Sequence, residues 1–88
     1  MTSGHARYLV EAYVPRSDVG EARAAGRDAC AAAEELSDEG THVRYVRSTF
    51  LPNDETCFYV FEAASEEAVR EVCRRAGIGP GRIVRAVE

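Results

Sequence analysis

Apolar residues recur along the chain with two different spacings, which together predict four strands and two helices. Between residues 7 and 14 every second residue is apolar, as in a strand with one buried face. Between residues 19 and 36 apolar or small residues recur at three- and four-residue steps, as in an amphipathic helix. The remaining predicted elements are strands at residues 42–51, 56–63 and 82–87 and a second helix at residues 66–76.

Residues that start or stop regular structure stand between these elements. Pro15 ends the first strand, and Ser17 and Ser65 lie where a hydroxyl accepts hydrogen bonds from the free amides of a helix start. Gly77 is placed to end the second helix. The segment PND at residues 52–54 predicts a tight turn, so the second and third strands should form a hairpin.

The order strand, helix, strand, strand, helix, strand is typical of the ferredoxin-like α+β fold. In this βαββαβ fold a four-stranded antiparallel sheet carries two helices on one face, and strands one and three lie at its centre. The 88 residues of the chain are enough for one small hydrophobic core. We therefore expect a flexible tail at residues 1–6 and a single ferredoxin-like domain at residues 7–88.

The two central strands carry apolar residues on both of their faces. In the third strand Phe58 and Val60 lie opposite Tyr59, and in the first strand Leu9 and Tyr13 lie opposite the alternating apolar row. The helices can cover only one face, and an uncovered apolar patch is typical of a surface that binds a partner or a ligand. We therefore predict a homodimer in which two sheets pack face to face.

Polar residues on these strands define a candidate ligand site between the two sheets. The predicted ligand-binding residues are Glu11, Tyr13, Arg47 and Tyr59, which would surround a small molecule in an otherwise apolar cavity. Glu11 and Glu62 lie on adjacent strands, so a carboxylate pair for acid–base chemistry is a second interpretation. A third interpretation is that both glutamates are simply solvated at the ends of their strands.

Composition and charge exclude several classes of partner. The chain has 11 basic and 15 acidic residues and a net charge of -4, so its field repels nucleic acid and anionic lipid. No stretch approaches the ~20 apolar residues of a membrane span. Three cysteines without a CxxC spacing indicate reduced thiols. The sequence thus predicts a cytoplasmic protein with no nucleic-acid or membrane partner.

Histidine and cysteine are the candidate metal ligands. His42 is the only histidine inside the predicted fold, because His5 lies in the predicted tail. A lone histidine at a strand start is more often a surface or hydrogen-bonded residue than a ligand. Cys57 and Cys73 are candidate soft ligands, but their spacing does not require them to converge, and buried core thiols are the competing interpretation.

Several segments resemble a family of small bacterial domains of unknown function, some members of which are described as nickel-binding proteins. The similarity lies in VRYVRS at residues 43–48, PNDETCF at residues 52–58, FEAASEEAVR at residues 61–70 and RAG at residues 75–77. It extends from about residue 7 to the end of the chain. The resemblance implies a ferredoxin-like homodimer that binds nickel or another transition metal.

The ligand pattern of the nickel-binding relatives is only partly present. In those relatives histidines stand just before the Arg-Arg-Ala-Gly run and just after its glycine, where this chain has Cys73 and Ile78. The histidine at the head of strand two is present as His42. The resemblance therefore implies His42 and Cys73 as metal ligands, since a thiolate binds nickel, zinc or copper and an isoleucine does not.

Three functions remain open at this point. The first is a dimeric binding protein that holds a metal ion or a small ligand. The alternative is a cofactor-independent dimeric α+β barrel enzyme of the cyclase, isomerase or oxygenase type, acting on a small hydrophobic substrate, which is an analogy of fold alone. The third is an assembly module whose apolar face only forms the dimer.

Overall fold

A computed structural model describes residues 5–87 and has the predicted ferredoxin-like α+β fold. Its elements are β1 (Ala6–Tyr13), α1 (Val19–Asp38), β2 (Val43–Leu51), a 3-10 turn (Pro52–Asp54), β3 (Thr56–Ala63), α2 (Glu66–Ala76) and β4 (Arg82–Ala86). The strands form one antiparallel sheet in the order β2-β3-β1-β4. The prediction that strands one and three are central is confirmed.

The first strand begins inside the segment that was predicted to be a tail. Residues 1–4 and 88 lie outside the described residues, so most of the tail predicted for residues 1–6 does as well. Ala6 is already part of β1, and His5 directly precedes it. His5 is therefore held next to the sheet by the strand that follows it.

The helix ends follow the sequence signals in α2 but not at the start of α1. The Ser65 hydroxyl accepts a hydrogen bond from the Ala68 amide at 3.2 Å, as predicted. The predicted cap at Ser17 is wrong, because the Asp18 amide donates to the Pro15 carbonyl in a turn and α1 begins only at Val19. Gly77 ends α2 in the left-handed region, at φ 73°.

Ile78 has a structural role immediately after that glycine. Its amide donates to the Cys73 carbonyl at 2.9 Å, which is the hydrogen bond expected of a glycine-terminated helix. The Ile78 side chain is 7% exposed and belongs to the core. An apolar residue at this position therefore closes the helix end against the sheet.

The core lies between the helices and one face of the sheet. From the sheet it contains Tyr8, Val10, Tyr59 and Phe61, each at most 7% exposed. The inner side of α1 consists of alanines and one glycine, apart from Leu36 in its last turns, and these small residues allow the helix to approach the sheet closely. The inner side of α2 supplies valines and a cysteine, which are Val69, Val72 and Cys73.

The other face of the sheet, called the open face below, has no helix over it. It is formed by Arg7, Leu9, Glu11 and Tyr13 of β1, by Phe58, Val60 and Glu62 of β3, and by the residues paired with them on β2 and β4. Val60 is 7% exposed although it lies outside the main core, and Tyr13 is 71% exposed. The sheet thus presents apolar and charged side chains together on a side that residues 5–87 do not cover.

Candidate metal centre

Two histidines are positioned by the ends of the strands that flank β3. Ala63 of β3 pairs with Ala6 of β1 on one side and with Val43 of β2 on the other. Extending this register by one residue places Ala64 between His5 and His42. Because directly paired residues point to the same face, both histidines lie on the open face above a side chain no larger than a methyl group.

The backbone around His42 is fixed by hydrogen bonds on both sides. The Ser37 hydroxyl at the end of α1 donates to the Val43 carbonyl at 2.8 Å and accepts from the Val43 amide at 3.3 Å. The Ala64 amide donates to the His42 carbonyl at 3.1 Å. These bonds continue the β2–β3 ladder and hold the His42 side chain over the end of β3.

His5, His42 and Glu62 form a compact group, called the metal cluster below. The two imidazole rings stack with centroids 3.7 Å apart and an angle of 8° between their planes. Glu62 Oε1 lies 3.7 Å from His42 Nε2. One candidate ligand atom from each of the three residues lies within 4.8 Å of the other two. The fold therefore brings together two nitrogen donors and one carboxylate from three separate strand ends.

The Nε2 atom of His42 is shielded from solvent without a compensating hydrogen bond. The His42 side chain as a whole is 40% exposed, but Nε2 is buried and has no hydrogen-bond partner within residues 5–87. An unsatisfied buried polar atom costs about 1–3 kcal/mol. Such an atom, directed at a carboxylate just beyond hydrogen-bonding distance, is well suited to coordinate a cation.

Glu62 is held in its charged form by its neighbours. Burial alone raises the pKa of this carboxyl, but the guanidinium of Arg44, at 3.4 Å, and the imidazole of His42 bring the pKa below its ordinary value. Glu62 also pairs with Arg7 across β1 and β3. The carboxylate is consequently ionised at neutral pH and able to bind a cation.

The residues of the metal cluster match the preferences of a particular class of ions. Neutral imidazole and carboxylate are the usual ligands of nickel, zinc, copper and iron(II), whereas calcium and magnesium prefer oxygen alone. Bonds from these donors to zinc are about 2.0–2.2 Å long, so one ion bridges two donor atoms up to about 4 Å apart. The 3.7 Å between His42 Nε2 and Glu62 Oε1 is within that range. The cluster fits a divalent transition metal.

Cys73, the second metal ligand predicted from the sequence, lies on the other side of the sheet. It is 1% exposed on the inner side of α2, in the core that contains Phe61, whereas Glu62 points to the open face. Burial raises the pKa of the Cys73 thiol to about 11, so the thiol is protonated at neutral pH. The structure therefore brings His42 together with His5 and Glu62 and places Cys73 elsewhere.

The four predicted ligand-binding residues are divided between the two faces. Glu11, Tyr13 and Arg47 lie on the open face, where Arg47 pairs with Val60 and Glu11 lies 3.5 Å from an arginine of β4. Tyr59 faces the helices and is 1% exposed, and burial together with a hydrogen bond to Cys57 raises the pKa of its hydroxyl. A site on the open face therefore includes the first three residues but not Tyr59.

The carboxylate pair considered from the sequence does not form. Glu11 pairs with Phe58, four positions along β3 from Glu62, which corresponds to about 13 Å of strand. The two side chains line separate cavities at opposite ends of the sheet. Acid–base chemistry that needs both carboxylates at one site has no support in this arrangement.

His5 and Glu62 are the residues of the metal cluster that the sequence did not assign as ligands. His5 was placed in the tail, and Glu62 was considered only as an acid–base partner of Glu11. The signal that could have found them was the register of the strands. Once β1, β3 and β2 are aligned at Ala63, residues 5, 42 and 62 occupy one end of one face.

A comparison with protein families identifies the family of the chain. The family described as nickel responsive protein SCO4226-like matches residues 8–85 of the chain. The chain belongs to this family. The resemblance noted in the sequence is thereby confirmed, and the match includes His42 and Glu62 of the metal cluster but begins after His5. No curated protein and no solved structure matches the chain. Within residues 5–87 no helix has the length and apolar character needed to cross a membrane.

Proposed function

We propose that this chain binds nickel or a neighbouring divalent transition metal through His5, His42 and Glu62. Membership of a nickel-responsive family makes a metal-related role plausible for the chain as a whole. The single observation that carries the proposal is the shielded Nε2 atom of His42, which faces a carboxylate at 3.7 Å and has no hydrogen bond within residues 5–87. Binding a cation there satisfies both groups.

Two further features support these three residues as the ligands. The rings of His5 and His42 are already in contact, so ordering them costs less side-chain entropy when the ion binds. The low pKa of Glu62 means that no proton has to be removed from the carboxylate at neutral pH. The site is therefore largely formed before the metal arrives.

We also propose that the protein is a homodimer that pairs two open faces. The support is the apolar surface that the helices leave uncovered, which includes Leu9, Phe58 and Val84. In such a dimer Glu11, Tyr13 and Arg47 lie near the interface and remain the candidates for contacts with a small ligand. A cytoplasmic location stays a prediction of the sequence.

The metal proposal is tested by calorimetric titration of untagged protein with nickel chloride, together with metal analysis of the purified protein. Wild-type protein should bind nickel in a near-stoichiometric amount. Replacing a ligand should weaken binding by about 100-fold or more, since even loss of a residue that supports a metal ligand costs about 10–100-fold. His42→Ala and Glu62→Gln are the two variants.

Glu67→Gln is the matched control for Glu62→Gln. Glu67 is an exposed carboxylate of α2 that forms no ion pair within residues 5–87, so its loss should leave nickel affinity unchanged. Circular dichroism of each variant establishes that the fold is retained. A wild-type protein that ignores nickel, or a folded His42→Ala variant that binds as tightly as wild type, overturns the proposal.

A further inference from the structure

A cavity of about 420 Å³ opens between α1 and the edge strand β2, on the helix-covered side of the sheet. Its lining includes Arg23, Gly26 and Arg27 from α1 and Tyr45 and Ser48 from β2. Cavities of about 300–1,000 Å³ are the usual size for small-molecule sites. None of the residues that line this cavity belongs to the metal cluster, and a dimer of two open faces would leave it accessible.

A β-bulge in β2 brings both of its lining residues to this side of the sheet. Tyr45 pairs with Phe61 of β3. Ser48, three positions later, pairs with Tyr59, which is only two positions from Phe61. In a regular strand Arg47 would share the face of Tyr45 instead. The extra residue of the bulge turns Arg47 to the open face and directs a hydroxyl into the cavity.

The two hydroxyls of β2 have free hydrogen-bonding capacity. Within residues 5–87 neither the Tyr45 nor the Ser48 hydroxyl makes a hydrogen bond. A Cβ atom on Gly26 would lie 2.9 Å from the Tyr45 hydroxyl oxygen and 3.6 Å from Ser48 Oγ. Both hydroxyls therefore lie over the same glycine, where they are close enough to each other to bind one ligand.

The α1 side of the cavity carries two positive charges without negative partners. Arg23 and Arg27 are exposed, lie four residues apart and form no ion pair within residues 5–87. Like charges at this spacing on a helix repel each other. No carboxylate is among the described residues that line the cavity. An anion between the two guanidinium groups would reduce the repulsion and accept hydrogen bonds from both.

We propose that this cavity binds a small phosphorylated molecule. Its arginine and hydroxyl side chains all donate hydrogen bonds, so they match a ligand group that is rich in acceptors. A phosphate monoester carries a charge of about -2 and three strong acceptor oxygens, whereas a carboxylate has only two oxygens. The volume leaves room for an organic part beside the phosphate. The net charge of -4 disfavours a long polyanion, so the ligand is small.

The test is a titration of isotope-labelled, untagged protein with inorganic phosphate and with glycerol phosphate, followed by the NMR shifts of its backbone amides. Both compounds should cause saturable shifts at Gly26 and Ser48. Glycerol, which lacks the phosphate, should cause none. Potassium chloride at the same ionic strength is the blank, because it reproduces the screening of charges without the specific hydrogen bonds.

Arg27→Gln should weaken the binding of both phosphates by about fivefold or more, because hydrogen bonds from a charged donor are the stronger ones. Ser48→Ala should weaken it by about two- to tenfold, as expected for a neutral hydrogen bond. Arg85→Gln is the matched control. It removes an exposed arginine of β4, at the opposite edge of the sheet, that forms no ion pair within residues 5–87, so phosphate affinity should not change.

Melting temperatures measured without phosphate separate a binding role of Arg27 from a structural one. Loss of the repulsion between Arg23 and Arg27 should leave the melting temperature of Arg27→Gln unchanged or slightly higher. A lower melting temperature together with unchanged phosphate affinity would show that the arginine only supports the fold, and would overturn the proposal.

Two further results contradict the phosphate site. One is a wild-type protein whose shifts do not saturate or equal those in potassium chloride. The other is an Arg27→Gln variant that binds phosphate as tightly as wild type. No metal is added in this experiment, so its failure leaves the proposed metal-binding function intact, and failure of nickel binding leaves the phosphate site intact.

Discussion

At the scale of single residues, the smallest side chains decide where the larger ones meet. Ala64 lies between His5 and His42 in the strand register, and its methyl group leaves room for the two rings to stack above it. Gly26 of α1 has the same function in the core, where a Cβ atom would lie 2.9 Å from the Tyr45 hydroxyl. In both places a larger residue would separate groups that now touch.

Gly26→Ala tests this reasoning in the core. Alanine is favoured over glycine within a helix by about 1 kcal/mol, but here its methyl group must displace the Tyr45 hydroxyl, whose ring packs edge-on against Phe61. We expect the substitution to be at least about 1 kcal/mol more favourable in a Tyr45→Phe background than in wild type. Denaturant unfolding of the four proteins measures the difference.

The control for this cycle is Gly20→Ala, at a helical glycine where, within residues 5–87, an added methyl group would have no atom within 4 Å apart from its chain neighbours and the nearby backbone of its own helix. It should have the same effect on the free energy of unfolding in both backgrounds. Equal effects of Gly26→Ala in the two backgrounds would show that the Tyr45 hydroxyl does not limit the approach of α1 to the sheet.

At the scale of elements, one arginine joins the ends of the two helices. The last turn of α1 contains no basic residue, although the carbonyl end of a helix favours a cation. Arg75 of α2 fills this position by contacting Glu35 and Glu39 of α1 at 2.9 Å, while it also contacts Glu71 on its own helix at 2.8 Å. Arg75 of α2 thereby supplies the positive charge that stabilises the carbonyl end of α1.

This network of ion pairs predicts that the stability of the protein decreases at low pH. Hydrogen bonds from Arg74 and then Arg75 lower the pKa of Glu71 to about 2, and the hydrogen bond from Arg75 lowers the pKa of Glu39. Carboxyls whose pKa is lowered by folding stabilise the protein above their unfolded pKa, near 4.5, and this stabilisation is lost as the pH falls towards 2. Wild-type stability should therefore decrease across this interval.

Arg75→Ala should lower the melting temperature at pH 7. Between pH 5 and pH 3 the melting temperature of this variant should fall by less than that of wild type. Arg74→Ala is the comparison, because within residues 5–87 the only ion pair of Arg74 is with Glu71 of the same helix, so its loss should have the smaller effect. Thermal melts followed by circular dichroism across this pH range measure both. Identical pH profiles for wild type and Arg75→Ala would contradict the proposed link between the helices.

At the scale of the whole molecule, two layers leave one side of the sheet without cover. The shortest dimension of the molecule is 17 Å, which accommodates a sheet and one layer of helices but no third layer. The open face therefore carries Phe58 and Val60 of the central strand β3 towards the outside. A second copy of the chain would supply the missing layer.

Phe58→Glu tests the dimer at the centre of the open face. Wild-type protein should sediment as a dimer at micromolar concentration, and the substitution should give a folded monomer, because two facing sheets would each bury an unpaired charge. Val19→Glu is the control, since Val19 is 47% exposed on α1, away from the open face, and its loss should leave the dimer intact. A monomeric wild-type protein would refute the proposed dimer.

The sequence by itself determined the fold and the central strands, because hydrophobic spacing, the Ser65 cap and Gly77 act locally and are readable from neighbouring residues. Alternation also separated the two faces of β3, but it did not say which face the helices would cover, and so it did not place Tyr59. Only the tertiary structure brought His5, His42 and Glu62 together. Their meeting depends on the register of three strands that are distant in sequence, and register is set by pairing and core packing rather than by any local pattern.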